Sequence, residues 1–291
     1  MRQLLVLSGK GGTGKTTITS ALIELLHVKA YGDCDVDAPN LHLAVPEYGT
    51  KTKKPFFGMD IYKIDTTRCQ DCGLCLLHCH FKAIDIVDGK YHINPLKCEG
   101  CGFCEALCPQ KAISPIKNES GYTELAIDET RLFSMARLHS GQGNSGLLVS
   151  EVKKPIELWT SSDDLALLDG SPGIGCPVIA SIRGVDYVLI VTEPNVSAMH
   201  DMRRLLKTIK HFAIPCAVVI NKSDISLPMR DEIIRFCESE HLDVLGRIPY
   251  DPRVVSNQNA RQTMLNIPSP YTSAIIAMSR NLVAWLETIT N

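Results

Sequence analysis

The sequence predicts an α/β fold in which a doubly wound, mainly parallel sheet carries a small inserted α+β module. Three observations predict it. The apolar run at residues 4–7 passes into a glycine-rich segment and then into the helical spacing of Ile18, Leu22, Ile23 and Leu26. Further short apolar runs at 165–168, 187–191 and 217–220 have the length and composition of buried parallel strands. Between the first strand and these three lie two tightly spaced cysteine runs. With 291 residues, 45% of them hydrophobic, the chain can bury one large core and a small satellite.

The first strand, Leu4-Leu5-Val6-Leu7, leads into Ser8-Gly9-Lys10-Gly11-Gly12-Thr13-Gly14-Lys15-Thr16-Thr17. This order of strand, glycine loop and helix satisfies the P-loop pattern. Its glycines let backbone N–H groups reach phosphate oxygens at the positive end of a helix. Lys15 is expected at the β- and γ-phosphates and the Thr16 hydroxyl on Mg²⁺. Gly9, Gly11, Gly12, Thr13, Gly14 and Thr17 complete the cradle.

Lys10 is an additional lysine near the start of the loop. In this the motif resembles the deviant Walker A loop of the family that includes the MinD and ParA positioning ATPases, the nitrogenase iron protein and the Mrp-type iron–sulfur carriers. The resemblance implies that Lys10 crosses a dimer interface to a partner's nucleotide. It extends along the chain. Asp33-Cys34-Asp35-Val36-Asp37 is similar to the first switch, with Asp35 implied to position the attacking water and Asp33 to lie nearer the metal. Residues 165–173, an apolar strand ending at Asp169 before a Gly-Ser-Pro-Gly turn, are similar to Walker B and the second switch, with Asp169 on Mg²⁺. After the strand at 217–220, Asn221-Lys222-Ser223-Asp224 has the look of a guanine-reading motif. The family resemblance instead places Asn221 against adenine, with Pro249 and Asp251 in a second base-facing loop, and so favours ATP.

The cysteine runs define the insert. Cys69, Cys72, Cys75 and Cys79 are each followed 29 positions later by Cys98, Cys101, Cys104 and Cys108, and Lys82-Ala83-Ile84 recurs as Lys111-Ala112-Ile113 at the same offset. The insert is therefore an internal duplication. Its C-x₂-C-x₂-C-x₃-C spacing is that of two-cluster bacterial ferredoxins, in which the fourth cysteine of each run serves the other run's [4Fe–4S] cluster. By that rule Cys69, Cys72, Cys75 and Cys108 hold one cluster, and Cys79, Cys98, Cys101 and Cys104 the other. Thiolates at close spacing also suit zinc, but two crossed runs favour iron–sulfur. His80 stands where the first run would carry the proline found at Pro109. The expected domains are an ATPase domain over 1–56 and 119–291, interrupted by a ferredoxin-like domain over 57–118.

The remaining features exclude more than they assign. A net charge of -2 gives no basic field for nucleic acid. Residues 51–54, rich in lysine, are expected as a solvated loop, and 141–146 as a loop before a helix start. The stretch at 274–289 has Ile275, Leu282, Trp285 and Leu286 at helical spacing with only Arg280 as a cation, and reads as a helix docked on the core rather than a membrane anchor. No leader or membrane span is expected, and the location is expected to be cytoplasmic. Cys34, Cys216 and Cys237 are expected as packing residues, while for Cys176, after the second switch, resemblance to the nitrogenase iron protein offers the alternative of meeting its mate across a dimer as a bridging-cluster ligand. The leading expectation is a nucleotide-dependent homodimer, or heterodimer with a related ATPase, that gates electron transfer to or from a redox or acceptor protein. The alternatives are a cluster or metal maturation carrier and a positioning ATPase with structural clusters.

Overall fold

A computed structural model describes residues 2–46, 49–159, 165–260, 263 and 265–290. In chain order the elements are β1 (Arg2–Ser8), α1 (Lys15–Leu25), β2 (Ala30–Asp33), α2 (Leu41–Ala44), β3 (Thr50–Phe57), β4 (Ile61–Ile64), α3 (Leu74–His78), β5 (Ile84–Val87), β6 (Lys90–Ile93), α4 (Phe103–Leu107), β7 (Ile113–Ile116), β8 (Glu119–Ile127) and β9 (Leu132–Leu138). They continue as α5 (Ser145–Leu158), β10 (Leu165–Pro172), α6 (Cys176–Ile182), β11 (Tyr187–Thr192), α7 (Val196–His211), β12 (Cys216–Asn221), α8 (Leu227–Ser239), β13 (Val244–Ile248), α9 (Arg253–Asn259) and α10 (Pro270–Thr290). The chain divides into two compact units, one of Met1–Lys53, Thr123–Arg137 and Ser145–Asn291, the other of Lys54–Tyr122 and Leu138–Asn144.

Among the described residues the strands of the main sheet run in the order β13-β12-β11-β1-β10-β2-β9-β8-β3. Every pairing from β13 to β9 is parallel. β1, β11 and β12 are buried almost throughout, as parallel strands covered on both faces require. The core of the first unit gathers Leu4, Val6, Leu22, Leu167, Leu189 and Val219 with Ile275, Leu282, Trp285 and Leu286 of α10, so the C-terminal helix docks on the core. Among the described residues no helix is long and apolar enough to cross a membrane.

Two expectations are corrected. The lysine-rich residues 51–54 lie in β3, at one end of the strand order, with every side chain of 50–55 exposed. Alternating Thr and Lys suits an edge strand, whose charged side chains discourage further pairing. β10 does not stop at Asp169 but continues to Pro172, because Ser8 of β1 pairs with Pro172 after a register shift.

The second unit repeats itself. β4, α3 and β5 recur 29 positions later as β6, α4 and β7. The pairings are crossed: β4 pairs antiparallel with β7, and β5 with β6, so each two-stranded sheet takes one strand from each copy. Asp65 N donates to Ala112 O and Asn94 N to Ala83 O, both at 2.7 Å. One copy thus closes the other.

Candidate functional site

The phosphate loop joins β1 to α1, and two of its glycines are required by its shape. Gly12 and Gly14 have φ of 82° and 89°, a region costly for residues with a Cβ. A Cβ on Gly14 would also stand 2.2 Å from Asn221 Nδ2. Gly14 is the left-handed residue before α1 and offers no side-chain cap, which leaves the helix's first N–H groups for an anion.

Behind the loop lies a buried polar cluster fixed by strand register. β2 and β10 place Asp33 opposite Asp169. Asp169 receives the Lys15 ammonium at 2.8 Å, the Thr16 hydroxyl at 2.7 Å and the Thr19 hydroxyl at 2.8 Å. Asp33 accepts from the backbone N–H groups of Asp35, Asn40 and Leu41 at 2.9 to 3.0 Å, which curls the segment after β2 around its carboxylate. Burial and then the charge of Asp169 nevertheless raise the Asp33 carboxyl to about 7. Burial also raises the Asp35 carboxyl, with Lys15 opposing. Two fully buried carboxylates against one buried ammonium are a donor set that a hard divalent cation fits.

In front of the loop is a cavity of about 420 Å³. Its lining includes Gly11, Gly12, Gly14, Lys15, Thr16 and Thr17 of the loop and α1, Asp35 and Asn40 of the segment after β2, and Asn221, Pro249, Tyr250, Asp251, Val254 and Tyr271 from later in the chain. Gly9, Lys10, Thr13, Asp33 and Asp169 are not on its wall. Gly9 packs against Asp201, where a Cβ would come within 2.6 Å. Asn221 donates to Thr13 O at 2.8 Å, tying the end of β12 to the loop, and the Asp251 carboxylate is held in a two-point pair by Arg253 at 2.6 and 2.9 Å. Arg253 keeps that carboxyl below its ordinary range.

Lys10 sits within its own chain, 2.9 Å from Glu193 Oε1 and 3.3 Å from Asn195 Oδ1. Glu193 also binds Lys222 at 2.8 Å, and Lys222 donates to Gly12 O at 2.9 Å. Burial works against the Glu193 carboxylate, but hydrogen bonds from Lys222 and Lys10 hold its pKa below the usual range. Sequence reasoning missed Glu193, Thr19 and Tyr271. The signals for two of them exist: an acid directly after the apolar strand β11, and a threonine three positions beyond Thr16 on the same helix face.

In the second unit the eight spaced cysteines separate into two cavities. Cys69, Cys72, Cys75 and Cys108 line one, and Cys79, Cys98, Cys101 and Cys104 line the other. Left-handed Gly73 and Gly102 turn each run into its short helix. The Ala83 N–H points at Cys79 Sγ and the Ala112 N–H at Cys108 Sγ, both at 3.3 Å. Among the described residues no group of three or more His, Cys, Asp or Glu converges on a point that one metal ion could occupy. A polynuclear cluster sets a different requirement, because each thiolate binds its own iron, and four soft donors around one void fit it. Cys34 and Cys237 are buried, with thiols pushed up to about 12, while Cys176 is exposed at the start of α6.

The profile of the CobQ/CobB/MinD/ParA nucleotide binding domain, CbiA, matches residues 4–264. The uncharacterized protein MJ0578 of Methanocaldococcus jannaschii is 34% identical over 266 residues, covering 88% of each chain. An iron-sulfur cluster carrier protein of Pyrococcus horikoshii is 24% identical over 312 residues, covering 99% of this chain and 87% of its own. Among solved structures, the septum site-determining protein MinD complexed with Mg-ADP from Pyrococcus horikoshii aligns with a TM-score of 0.56 at 17% identity, over 100% of this chain and 98% of that one. At that identity the likeness is one of fold.

Proposed function

Because the chain belongs to the CobQ/CobB/MinD/ParA nucleotide-binding family and is a P-loop ATPase, we propose that it is an iron–sulfur ATPase whose nucleotide state governs one-electron transfer to or from a protein partner. The observation that carries the reading is the crossed sorting of eight cysteines into two four-thiol cavities within a chain that also holds a phosphate loop. Two [4Fe–4S] clusters, when bound there, supply one-electron storage.

The chain's own residues divide the work at the nucleotide. Backbone N–H groups of the glycine loop and the Lys15 ammonium hold the phosphates, while Thr16, Asp33 and Asp169 take Mg²⁺ directly or through water. Asp35, on the cavity wall, orients the attacking water. Asn221, Pro249 and Asp251 enclose the base. Lys10 completes a partner's site once it leaves Glu193, which makes nucleotide-dependent pairing with a second copy or a related ATPase part of the cycle. A second reading, delivery of a cluster to an apo-protein, is favoured by exposed Cys176 and by the name of the Pyrococcus relative.

Anaerobic purification with iron, sulfide and zinc analysis tests the proposal. About eight irons and eight sulfides per chain are expected, falling to about half in Cys69→Ser/Cys108→Ser. ATP hydrolysis is expected to vanish in Lys15→Ala with the iron content unchanged. Zinc in place of iron contradicts the cluster assignment, and transfer of iron and sulfide to an apo-acceptor selects the second reading.

A further inference from the structure

We propose that the two thiol cavities hold their clusters at unequal potentials, the cluster of Cys69, Cys72, Cys75 and Cys108 being the easier to reduce. This rests on the reading above that each cavity takes a [4Fe–4S] cluster. The internal duplication supplies the comparison within one molecule, because most of what sets a cluster's potential is the same on both sides. Each cavity has four thiols and one N–H donated to a sulfur at 3.3 Å. Each has a left-handed glycine facing a tyrosine hydroxyl, Gly73 with Tyr91 and Gly102 with Tyr62. With ligands and sulfur hydrogen bonds matched, and each cysteine of the first run in the same exposure class as its counterpart in the second, charge is the lever on which the two sides differ.

The charges are not matched. On the first side Asp71 Oδ1 stands 3.6 Å from Cys69 Sγ, but its carboxylate is neutralised by Lys90 at 3.1 Å. Arg68 adds a guanidinium there, donating at 3.1 Å to the carbonyl of Gln110, a residue on the cavity wall, and is offset by the carboxylate of Asp65, whose counterpart in the other copy is Asn94. The second side differs at each of these positions. Gly100 replaces Asp71, Ile61 occupies the position equivalent to Lys90, and Lys97, the counterpart of Arg68, lies 3.8 Å from Asp85. Glu99 replaces Gln70 and lines the second cavity, while Glu105 replaces Leu76 and meets the Tyr62 hydroxyl. Neither glutamate has a lysine or arginine ion pair among the described residues.

An added electron makes a cluster more negative, so uncompensated carboxylates beside one site oppose reduction, whereas beside the other the charges of Asp71 and Lys90 and of Asp65 and Arg68 cancel. Both glutamates are exposed, and water and salt limit the effect to about tenfold in the reduction equilibrium. An electron taken from a low-potential one-electron donor at the second cluster therefore moves on. The second cluster is reoxidised by one electron as the first is reduced by one.

The test is a dithionite titration of the intact, anaerobically purified protein at one fixed pH, followed by EPR. Two one-electron steps are expected, and Glu99→Gln/Glu105→Gln is expected to raise the lower step by up to about 59 mV, the one-electron equivalent of tenfold, while leaving the upper step in place. Lys90→Met is expected to lower the upper step alone. Iron and sulfide content, unchanged in all three proteins, separates a failure of this assignment from loss of the clusters. A single common step, or movement of the upper step in the double glutamine variant, overturns the proposal. Protein without iron overturns the reading beneath it.

Discussion

Asp33 and Asp169 occupy adjacent strands in register, and burial denies both carboxylates the water that would ordinarily stabilise their charge. For Asp33 the cost has a pH signature. Its folded value of about 7 lies above the ordinary 3.8, so the folded chain holds a proton there that the unfolded chain has released. Stability from this group falls as pH rises through that window and is fully lost above it. In EDTA, the Tm difference between Asp33→Asn and the native protein is expected to widen in favour of the variant as pH rises from about 4 to 8; parallel curves would acquit the carboxyl. Gly14 makes a second residue-level case. Gly14→Ala meets both a forbidden φ and the Asn221 amide, and is expected to cost more than about 1 kcal/mol in chemical denaturation and to abolish nucleotide binding. The glycine loop was legible because its chemistry is local, a fixed spacing between a strand and a helix. Glu193 was not, since its partners Lys10 and Lys222 come from either side of the chain and meet only when β1, β11 and β12 lie side by side.

At the scale of elements, apolar strands flanked by turns could be read directly, and β1, β11 and β12 extend the runs seen in the sequence by one to three residues. β3 could not, because an exposed strand of Thr and Lys has the composition of a loop and owes its conformation to a place in the sheet. α5 holds a further feature hidden from the sequence. Lys153 is buried, and its ammonium donates to the carbonyls of Ser181, at 3.2 Å, and Arg183, at the C-terminal end of α6. Burial lowers its pKa, and the two carbonyls would have to find other donors without it. Lys153→Met is expected to lower stability by about 1–3 kcal/mol in urea unfolding. An unchanged midpoint would mean that α5 and α6 are held by apolar packing alone. In the second unit, the duplication made the crossed cysteine sets legible, since a 29-residue repeat fixes which positions correspond even before any contact is known.

For the whole molecule, the chain crosses between the two units four times, and the first crossing lies within β3, downstream of β2, which ends at Asp33. Connectivity alone is no measure of coupling; coupling is a free energy, and it is reciprocal. If the nucleotide changes the clusters' reduction equilibrium, reduction must change nucleotide affinity by the same factor. The central claim is tested most directly by titrating the clusters by EPR in MgADP and again in a non-hydrolysable ATP analogue. A difference of about 60 mV between the two states, about 1.4 kcal/mol for one electron, is the expected result. Identical potentials in both nucleotides would contradict nucleotide control of cluster reduction.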